Sequence, residues 1–360
     1  MIKLAPVIRS LNASIAHAEV IVYSTGQHRE LLDQTLGSLS IEINFNFDLM
    51  MNGQSPSQIH CKVVSCLEAE FKANRPDLIV VQGDTVSAFA GAVAGYLSNV
   101  PVAHVEAGLR SHNLSKPWPE EGLRQMIARV ATLHFAPTEQ ARANLLAEGI
   151  DPNQIYVVGN PGIDSLELVI KNNNPDSVIC GLENIGSRKL VIITMHRREA
   201  FAGGMDKFCQ ELLRAVNKRP DIIFVWPIHP NPKVREILDR HFFEVATENL
   251  MFVSPLAYDQ MISLLSKADL VISDSGGMQE EAPYCGVPIL VTRDETERPE
   301  IIDLGLGLLI GSSAEGLQEK IDHYLATPPA PASIDEWRNI QGNGQSAAKI
   351  SAQIKRFVTE

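Results

Sequence analysis

Acidic residues follow two short apolar runs in the first half of the chain, and a third acid opens a helical pattern. Asp84 comes after the run at 77–82, Glu106 comes after the run at 101–105, and Glu120 stands in a proline-framed loop. Ligands of open α/β sheets bind beyond the carboxyl ends of the strands, so Asp84 and Glu106 are expected to face one crevice. Asp84 and Glu120 also suit helix caps or first-turn acids. Three carboxylates without a metal-ligand pattern favour acid/base chemistry.

A glycine-rich turn in the second half suits a phosphate. The apolar run 270–273 leads into Ser275-Gly276-Gly277, after which a helical pattern begins. The two glycines let a ligand approach the backbone, and the N–H groups at a helix N-terminus favour an anion. Glu281 follows on the same helix and is predicted to grip sugar hydroxyls, because a carboxylate does not hold phosphate. The alternative is an ordinary tight turn between a strand and a helix.

Basic and histidine side chains stand after further apolar runs of the second half. His196 is followed by Arg197 and Arg198, and this loop resembles a diphosphate grip, although such arginine pairs are often only solvated. His229 suits either a structural group or a ligand contact. Arg298 is predicted to reach the same site, with an ion pair to a neighbouring acid as the alternative.

Short β-rich runs alternate with helical patterns along the chain, and many of the runs are apolar on both faces, as in a covered parallel sheet. Strands are predicted near 19–24, 77–82, 101–105, 132–136, 154–158, 188–194, 221–227, 250–253, 269–273, 287–292 and 307–310. Helices are predicted near 28–37, 56–73, 85–97, 119–131, 138–148, 205–218, 232–240, 257–267, 276–285 and 313–326. The alternation predicts an α/β protein, doubly wound. Linkers are predicted at 171–189 and 328–331, the latter before a final helix near 345–357.

Composition excludes several classes of protein. With 360 residues, 45% of them apolar, the chain suits a globular protein of two domains. A net charge of −12 and the absence of a dense basic run argue against nucleic acid or an anionic membrane as a partner. No apolar run approaches membrane-spanning length, and no signal-peptide pattern opens the chain. The five scattered cysteines suit reduced thiols in a cytoplasm, and no cluster has metal-ligand spacing, so no metal is predicted.

Seven motifs together resemble the non-hydrolysing UDP-N-acetylglucosamine 2-epimerases of bacterial envelope-polysaccharide pathways. The resemblance covers essentially the whole chain. It implies two Rossmann-like domains facing across a cleft, the glycosyltransferase-B type of architecture. The N-terminal domain would span 1–170 and be joined by the C-terminal helix at 345–360, with a UDP-binding domain at 171–344. The motifs are Gln82-Gly83-Asp84-Thr85, His104 to Arg110, Pro117 to Glu121, Val158 to Pro161, His196 to Glu199, Ser273 to Pro283 and Arg293 to Glu300.

The resemblance also implies roles for individual residues. Asp84, Glu106 and Glu120 match the acid/base carboxylates of the family, and His196 is predicted to work beside them in catalysis while contacting UDP. Met261 and Leu256 fall where the family lines its uracil pocket. The remaining matches are to positions that bind UDP or the sugar, and they are Lys3, Ser275, Gly276, Gly277, Glu281 and Arg298.

The implied reaction inverts C2 of UDP-N-acetylglucosamine by elimination of UDP to 2-acetamidoglucal and re-addition, without a cofactor. Alternatives are epimerisation of a related UDP-sugar, a hydrolysing epimerase, a glycosyltransferase of the same fold, or an inactive UDP-sugar binding protein. The resemblance further implies a homodimer. Some members of the family are activated by a second UDP-N-acetylglucosamine, but Glu30 and the Asn52-Gly53 segment differ from those members.

The first residues depart from the family. Members begin with a strand and a Gly-Thr-Arg-Pro-Glu turn before a segment like Met1-Ile2-Lys3, and the sequence lacks both. The strand would be central in the first sheet. We expect a start codon assigned too late, with a truncated gene product as the alternative.

Overall fold

Short parallel strands alternate with helices throughout the described part of the chain. The computed structural model describes residues 1–15, 18–26, 41–49, 53–172, 186–195, 203–243 and 247–359. All strand pairs in these ranges are parallel. The α/β class that the sequence predicts is therefore confirmed.

The chain divides into two compact units. Unit 1 comprises Met1–Ser165 and Ile340–Glu360, and unit 2 comprises Leu166–Asn339. The division falls inside one helix, Pro161–Asn172, so that helix belongs to both units.

Unit 1 contains the following described elements. Its strands are β1 Tyr23–Ser24, β2 Phe45–Asn46, β3 Ile79–Gln82, β4 Val102–Val105, β5 Leu133–Ala136 and β6 Ile155–Val157. Its helices are α1 Ala5–Ser14, α2 Pro56–Ala73, α3 Val86–Leu97, α4 Glu120–Val130, α5 Glu139–Ala147, the start of α6 Pro161–Asn172, and, after unit 2, α14 Ser346–Thr359.

Unit 2 holds the elements between them. Its strands are β7 Lys189–Thr194, β8 Ile222–Pro227, β9 Leu250–Val253, β10 Leu270–Ser273, β11 Ile289–Val291 and β12 Gly307–Leu309. Its helices are α7 Gly204–Lys218, α8 Pro232–Phe242, α9 Tyr258–Leu265, α10 Gly276–Tyr284, α11 Glu300–Asp303, α12 Leu317–Ala326 and α13 Pro331–Ile340.

The main sheet of unit 1 is covered by helices on both faces. Strands β3, β4, β5 and β6 pair in that order, while β1 and β2 form a separate ladder. Neighbouring residues of a strand point to opposite faces. Ala103 accordingly packs with α1 and α14, whereas Val102 packs with Ala88 of α3 and Ile127 of α4. Burial on both faces explains why these strands read as continuous apolar runs.

Unit 2 is a doubly wound sheet. Its strand order is β12-β11-β10-β7-β8-β9, so the chain first builds outward from β7 and then returns to the other side of it with β10. The order reverses between β7 and β10, and ligands of such sheets bind at the carboxyl ends of the strands at this point. A core that includes Phe208 and Trp226, which are fully buried, packs α7 against the sheet.

Side-chain caps set where several helices of unit 1 begin. Ser55, Thr85 and Thr138 each precede a helix, and each hydroxyl accepts a hydrogen bond from the backbone N–H three residues later. Such caps satisfy a donor that the first helical turn otherwise leaves unpaired. Thr85 thereby ends the loop that carries Asp84.

Most predicted elements are present, and the helix predicted at 56–73 has the same bounds as α2. The strand predicted at 19–24 covers only Tyr23–Ser24, and the helix predicted at 313–326 begins at Leu317. Gly316 explains the later start, because its backbone is left-handed with φ +66°. The helix predicted at 28–37 lies outside the described residues.

Four described helices, α1, α6, α11 and α13, are absent from the helices predicted above. Both α6 and α13 begin at a proline, Pro161 and Pro331. The linker predicted at 328–331 is wrong at its last residue, because Pro331 begins α13. Proline suits the first helical position because its missing N–H would be unpaired there. The linker predicted at 171–189 begins in α6 and ends in β7, and its middle, 173–185, lies outside the described residues.

Candidate active site

Three acids stand at the carboxyl edge of the unit 1 sheet. Asp84 lies in the loop between β3 and α3, Glu106 directly follows β4, and Glu120 is the first residue of α4. Because β3 and β4 are parallel neighbours, the loops after them leave the sheet at the same edge. The structure therefore brings Asp84 and Glu106 to one place.

The Glu106 carboxylate is held by two side chains. Lys3 Nζ lies 2.5 Å from Glu106 Oε1, and the amide of Gln82 donates a hydrogen bond to Oε2. Both charged side chains are largely buried, with exposures of 17% and 12%. Glu106 has a left-handed backbone with φ +68°, which is uncommon for a non-glycine residue and is found in ligand sites.

Two glycines make room for this arrangement. A Cβ at Gly83 would lie 3.4 Å from Glu106 Oε2, and Gly83 has a φ of +71°. A Cβ at Gly162 would lie 3.3 Å from Cγ of Lys3, so the lysine stem rests against the start of α6. Lys3 thus reaches the acids of the sheet edge, as a substrate-binding residue there would have to.

Arg124 connects Asp84 to the helix that carries Glu120. Its guanidinium lies 2.6 Å from Asp84 Oδ2, and its side chain is 6% exposed. Arg124 is four residues after Glu120 on α4, so the two side chains lie on the same helix face. Within the described part of the chain no side chain bonds to the Glu120 carboxylate. Asp84 and Glu120 are therefore brought to the same region. Arg124 holds the Asp84 carboxylate, whereas no side chain in the described ranges bonds to Glu120.

Glu121, the neighbour of Glu120, has a structural place. It is fully buried, and its carboxylate accepts hydrogen bonds from the Ser111 N–H and the Gln125 amide. In the first turn of α4, Glu121 thus points inward and holds the preceding loop, whereas Glu120 is half-exposed.

A buried histidine supports the loop of Asp84. His104 Nε2 lies 2.8 Å from the Gly83 carbonyl oxygen, which can only accept, so this nitrogen donates. Burial lowers the pKa of His104 to about 3, and the bond to Gly83 opposes that shift. The ring is therefore neutral near pH 7 and acts as a fixed donor. His134, its partner across β4 and β5, has a pKa lowered by burial to about 4.

In unit 2 the strands at the reversal point are joined by hydroxyl groups. Thr194 at the end of β7 and Ser273 at the end of β10 have their side-chain oxygens 2.6 Å apart. Ser273 Oγ also accepts a hydrogen bond of 2.9 Å from the Ser275 N–H. These bonds hold the loop that leads into α10.

The N-terminus of α10 is open where the sequence predicts a phosphate. Ser275 occupies the cap position, and its side chain makes no capping bond to the described helix. A Cβ at Gly277 would meet nothing closer than Ser275 Oγ at 3.8 Å. The first-turn N–H groups of a helix lack intrahelical partners and attract anions. The space at Gly277 therefore coincides with the donors and the dipole of the helix start.

Arg298 lies behind this turn in a buried network of charges. A Cβ at Gly276 would lie 3.2 Å from its guanidinium, whose Nε donates 2.7 Å to Glu280. Glu297 lies 3.4 Å from Arg298 and 3.0 Å from Arg293. The pairing with an acid, given above as the alternative for Arg298, is present. Its binding of UDP stays a prediction.

Glu281 and Met261 are connected through helix α9. The Tyr258 hydroxyl, at the start of α9, donates a hydrogen bond of 2.9 Å to Glu281 Oε1. Met261 is three residues after Tyr258 and lies on the same face of α9. Glu281 and Met261 are thus placed in one part of unit 2, and their binding of sugar hydroxyls and uracil stays a prediction.

Several predictions have other outcomes. His196, predicted as catalytic, lies outside the described residues, as do Glu30 and Asn52. Within the described ranges no group of three or more His, Cys, Asp or Glu residues could hold a metal ion. No helix described there has the length and apolar character of a membrane span.

Four residues of the site were not singled out from the sequence. Gln82 and His104 stand within quoted motifs, and Arg124 was detectable from its spacing to Glu120. Tyr258 carried no local signal, because its partner is 23 residues away on another helix.

Comparison with known proteins agrees with the resemblance found in the sequence. The family model described as UDP-N-acetylglucosamine 2-epimerase matches residues 11–355. A probable UDP-N-acetylglucosamine 2-epimerase of Ralstonia solanacearum is 38% identical over 99% of this chain and 96% of its own. The Escherichia coli K12 enzyme of that name is 35% identical over 98% and 95%.

A solved structure agrees as well. The UDP-GlcNAc 2-epimerase of Neisseria meningitidis, bound to UDP-GlcNAc, has a TM-score of 0.90 and is 33% identical, covering 99% of this chain and 96% of that one. With the family model matching most of the chain and the relatives covering nearly all of it, the chain belongs to the UDP-N-acetylglucosamine 2-epimerase family.

Proposed function

We propose that the protein interconverts UDP-N-acetylglucosamine and UDP-N-acetylmannosamine by inversion at C2, in the supply of envelope or capsule polysaccharide. The observation that carries the proposal is the set of acids at the carboxyl edge of the unit 1 sheet, with Lys3 on Glu106 and Arg124 on Asp84. Membership of the family adds the substrate, since the Neisseria relative is bound to UDP-GlcNAc.

Unit 2 contributes nucleotide binding in this proposal. The diphosphate binds at the N-terminus of α10, where Ser275, Gly276 and Gly277 supply hydroxyl and backbone donors and Gly277 leaves space for the ligand. Glu281 accepts hydrogen bonds from sugar hydroxyls, Met261 contributes to the uracil pocket, and Arg298 lies behind the turn as a cation. His196 belongs to the same predicted machinery.

Inversion at C2 needs an elimination, because no carbonyl acidifies the C2 proton. A carboxylate takes that proton as the C1–O bond breaks and UDP departs with the bonding electrons, which leaves 2-acetamidoglucal. UDP then re-adds at C1 while an acid delivers a proton to the other face of C2. Acids on both faces and donors on the leaving diphosphate are the groups this requires, and Asp84, Glu106 and Glu120 are proposed as the acids.

Incubation of the protein with UDP-N-acetylglucosamine alone in deuterated water tests the reaction. Proton NMR should detect the manno epimer attached to UDP, with deuterium at C2 of both epimers. Free N-acetylmannosamine would identify a hydrolysing epimerase instead. Absence of conversion without an acceptor sugar would contradict epimerisation and favour a glycosyltransferase or a binding protein.

Single substitutions test the three acids. Asp84→Asn, Glu106→Gln and Glu120→Gln should each lower kcat by roughly two to four orders of magnitude, the usual contribution of a general acid or base. Glu139→Gln, at the exposed start of α5, is the matched control and should retain activity. Circular dichroism should show that each variant is folded. Activity equal to the natural protein in all three variants would refute the assignment.

A homodimer and a cytoplasmic location belong to the same proposal, and activation by a second UDP-N-acetylglucosamine, for which Glu30 and Asn52-Gly53 do not match the activated members, is tested with them. They rest on the family resemblance and on the scattered cysteines. Steady-state rates that rise more steeply than hyperbolically with UDP-N-acetylglucosamine would support activation, and hyperbolic rates would contradict it.

A further inference from the structure

Tyr258 is a partly buried phenol that bonds to a carboxylate predicted to contact ligand. It is the first residue of α9, and its hydroxyl lies 2.9 Å from Glu281 Oε1 on α10. Helix α9 follows β9 and helix α10 follows β10. In the sheet, β7 and β8 lie between these two strands. The bond therefore links two loops that leave the same sheet at different strands.

The phenol is the donor in its bond to Glu281, because an ionised carboxylate can only accept. Burial first, and then the charge of Glu281, raise the pKa of Tyr258 well above 10. Tyr258 thus stays protonated at neutral pH. A tyrosine in this state is unsuited to proton transfer and well suited to orienting its acceptor.

A carboxylate accepts hydrogen bonds from two neighbouring hydroxyls when both hydroxyls lie near the plane of the carboxylate group. The orientation of that plane in Glu281 therefore matters for binding. Glu281 stands four residues after Gly277 on α10, so the two positions lie on the same helix face, and a ribose attached to a diphosphate at that turn is within reach of Glu281. Met261, on the Tyr258 face of α9, supplies an apolar surface there. The ribose diol is accordingly the hydroxyl pair that suits Glu281.

We propose that Tyr258 is a positioning residue for nucleotide recognition: its hydroxyl orients the Glu281 carboxylate so that the carboxylate accepts from the ribose hydroxyls of UDP. The inference rests on the proposed function, because it assumes that unit 2 binds a uridine nucleotide. Tyr258 itself touches no ligand in this arrangement. Its effect passes through Glu281.

The test compares UDP with 2′,3′-dideoxyuridine diphosphate by isothermal titration calorimetry. The natural protein should bind UDP more tightly than the dideoxy analogue. Tyr258→Phe, which removes a single oxygen, should weaken UDP roughly tenfold, the size of one hydrogen bond to a charged group. Affinity for the dideoxy analogue should stay unchanged, because that ligand has no hydroxyl for Glu281. A general loosening of the fold would weaken both ligands alike.

Two further variants sharpen the comparison. Tyr324→Phe makes the same chemical change on α12 of unit 2 and should leave both affinities unaltered. Glu281→Gln should lower the preference for UDP, and adding Tyr258→Phe to it should produce no further loss, because the two residues act as one unit. In steady-state kinetics Tyr258→Phe should raise KM by a larger factor than it lowers kcat.

The outcomes separate this inference from the proposed function. If the natural protein binds neither nucleotide, the proposed function fails. If it binds UDP and epimerises the sugar but Tyr258→Phe keeps the full preference for UDP over the dideoxy analogue, the positioning role alone is overturned. Equal weakening of both nucleotides in Tyr258→Phe would overturn it as well.

Discussion

At the residue scale, the acids of the predicted site have partners that differ in kind. Glu106 is held by a lysine and an amide, Asp84 by an arginine, and Glu120 by no side chain in the described ranges. Charged hydrogen bonds fix the direction of a carboxylate more firmly than solvent does. Asp84 and Glu106 are therefore pre-oriented at the sheet edge, while Glu120 keeps rotational freedom.

Substitution of Gly277 by alanine should weaken UDP binding without lowering the stability of the fold. Gly277→Ala has room in the fold, and alanine is favoured over glycine in a helix by about 1 kcal/mol. We expect an unchanged or slightly higher melting temperature. The added Cβ stands in the space where the diphosphate is proposed to approach, so UDP affinity should fall at least tenfold.

Gly122→Ala is the matched control for this prediction. Gly122 also lies in the first turn of a helix, α4, and a Cβ there meets nothing within 4 Å. It should show the same small gain in melting temperature with unchanged UDP binding by calorimetry. Unaltered UDP affinity in Gly277→Ala would contradict the position proposed for the diphosphate.

At the element scale, neighbouring strands β4 and β5 carry the buried histidine pair. Burial lowers the pKa of His104 to about 3 and of His134 to about 4. The unfolded chain binds these protons at its ordinary value near pH 6.5, whereas the folded chain does not. Their contribution to stability is therefore complete above about pH 6.5 and is lost as the pH falls toward 4.

We accordingly expect the free energy of unfolding to fall by about 1.4 kcal/mol per pH unit for each histidine over this interval. Urea unfolding measured between pH 5 and 8 gives the slope. His134→Leu should make the slope shallower, and His323→Gln, at an exposed position of α12, should not change it. An equally steep slope in His134→Leu would contradict a neutral buried His134.

At the scale of the whole molecule, the two units have separate sheets and separate cores. The catalytic acids proposed for the reaction lie in one unit and the proposed phosphate turn in the other. The net charge of −12 makes the general field unfavourable for an anionic ligand. Binding of a nucleotide therefore depends on local donors such as the N-terminus of α10.

The family resemblance predicts a homodimer, and unit 1 has exposed apolar side chains that favour association. Tyr96 and Leu97 at the end of α3 and Met126 on α4 are 61%, 69% and 45% exposed. Large exposed apolar side chains are typical of protein interfaces. Light scattering after size exclusion should give twice the chain mass of 39.5 kDa. A single-chain mass at micromolar concentration would contradict the dimer.

The amino-acid sequence by itself determined the class of fold and the place of each candidate group along the chain. Apolar runs, glycines and caps are local signals, so the positions of Asp84 and Glu106 after strands, and of Gly276 at a helix start, could be predicted. Helix α13 was missed because its first residue, Pro331, also suits a linker, and Pro161, which begins α6, was noted only as the end of a motif.

Only the tertiary structure decided which side chains meet. Lys3 and Glu106 are 103 residues apart, Arg124 and Asp84 are 40 apart, and Tyr258 lies 23 residues from Glu281. No local pattern contains such pairs, because they depend on which strand ends are neighbours in the folded sheet. The sheet order makes Asp84 and Glu106 neighbours and places α10 at the reversal point, and the chemistry proposed above follows from that order.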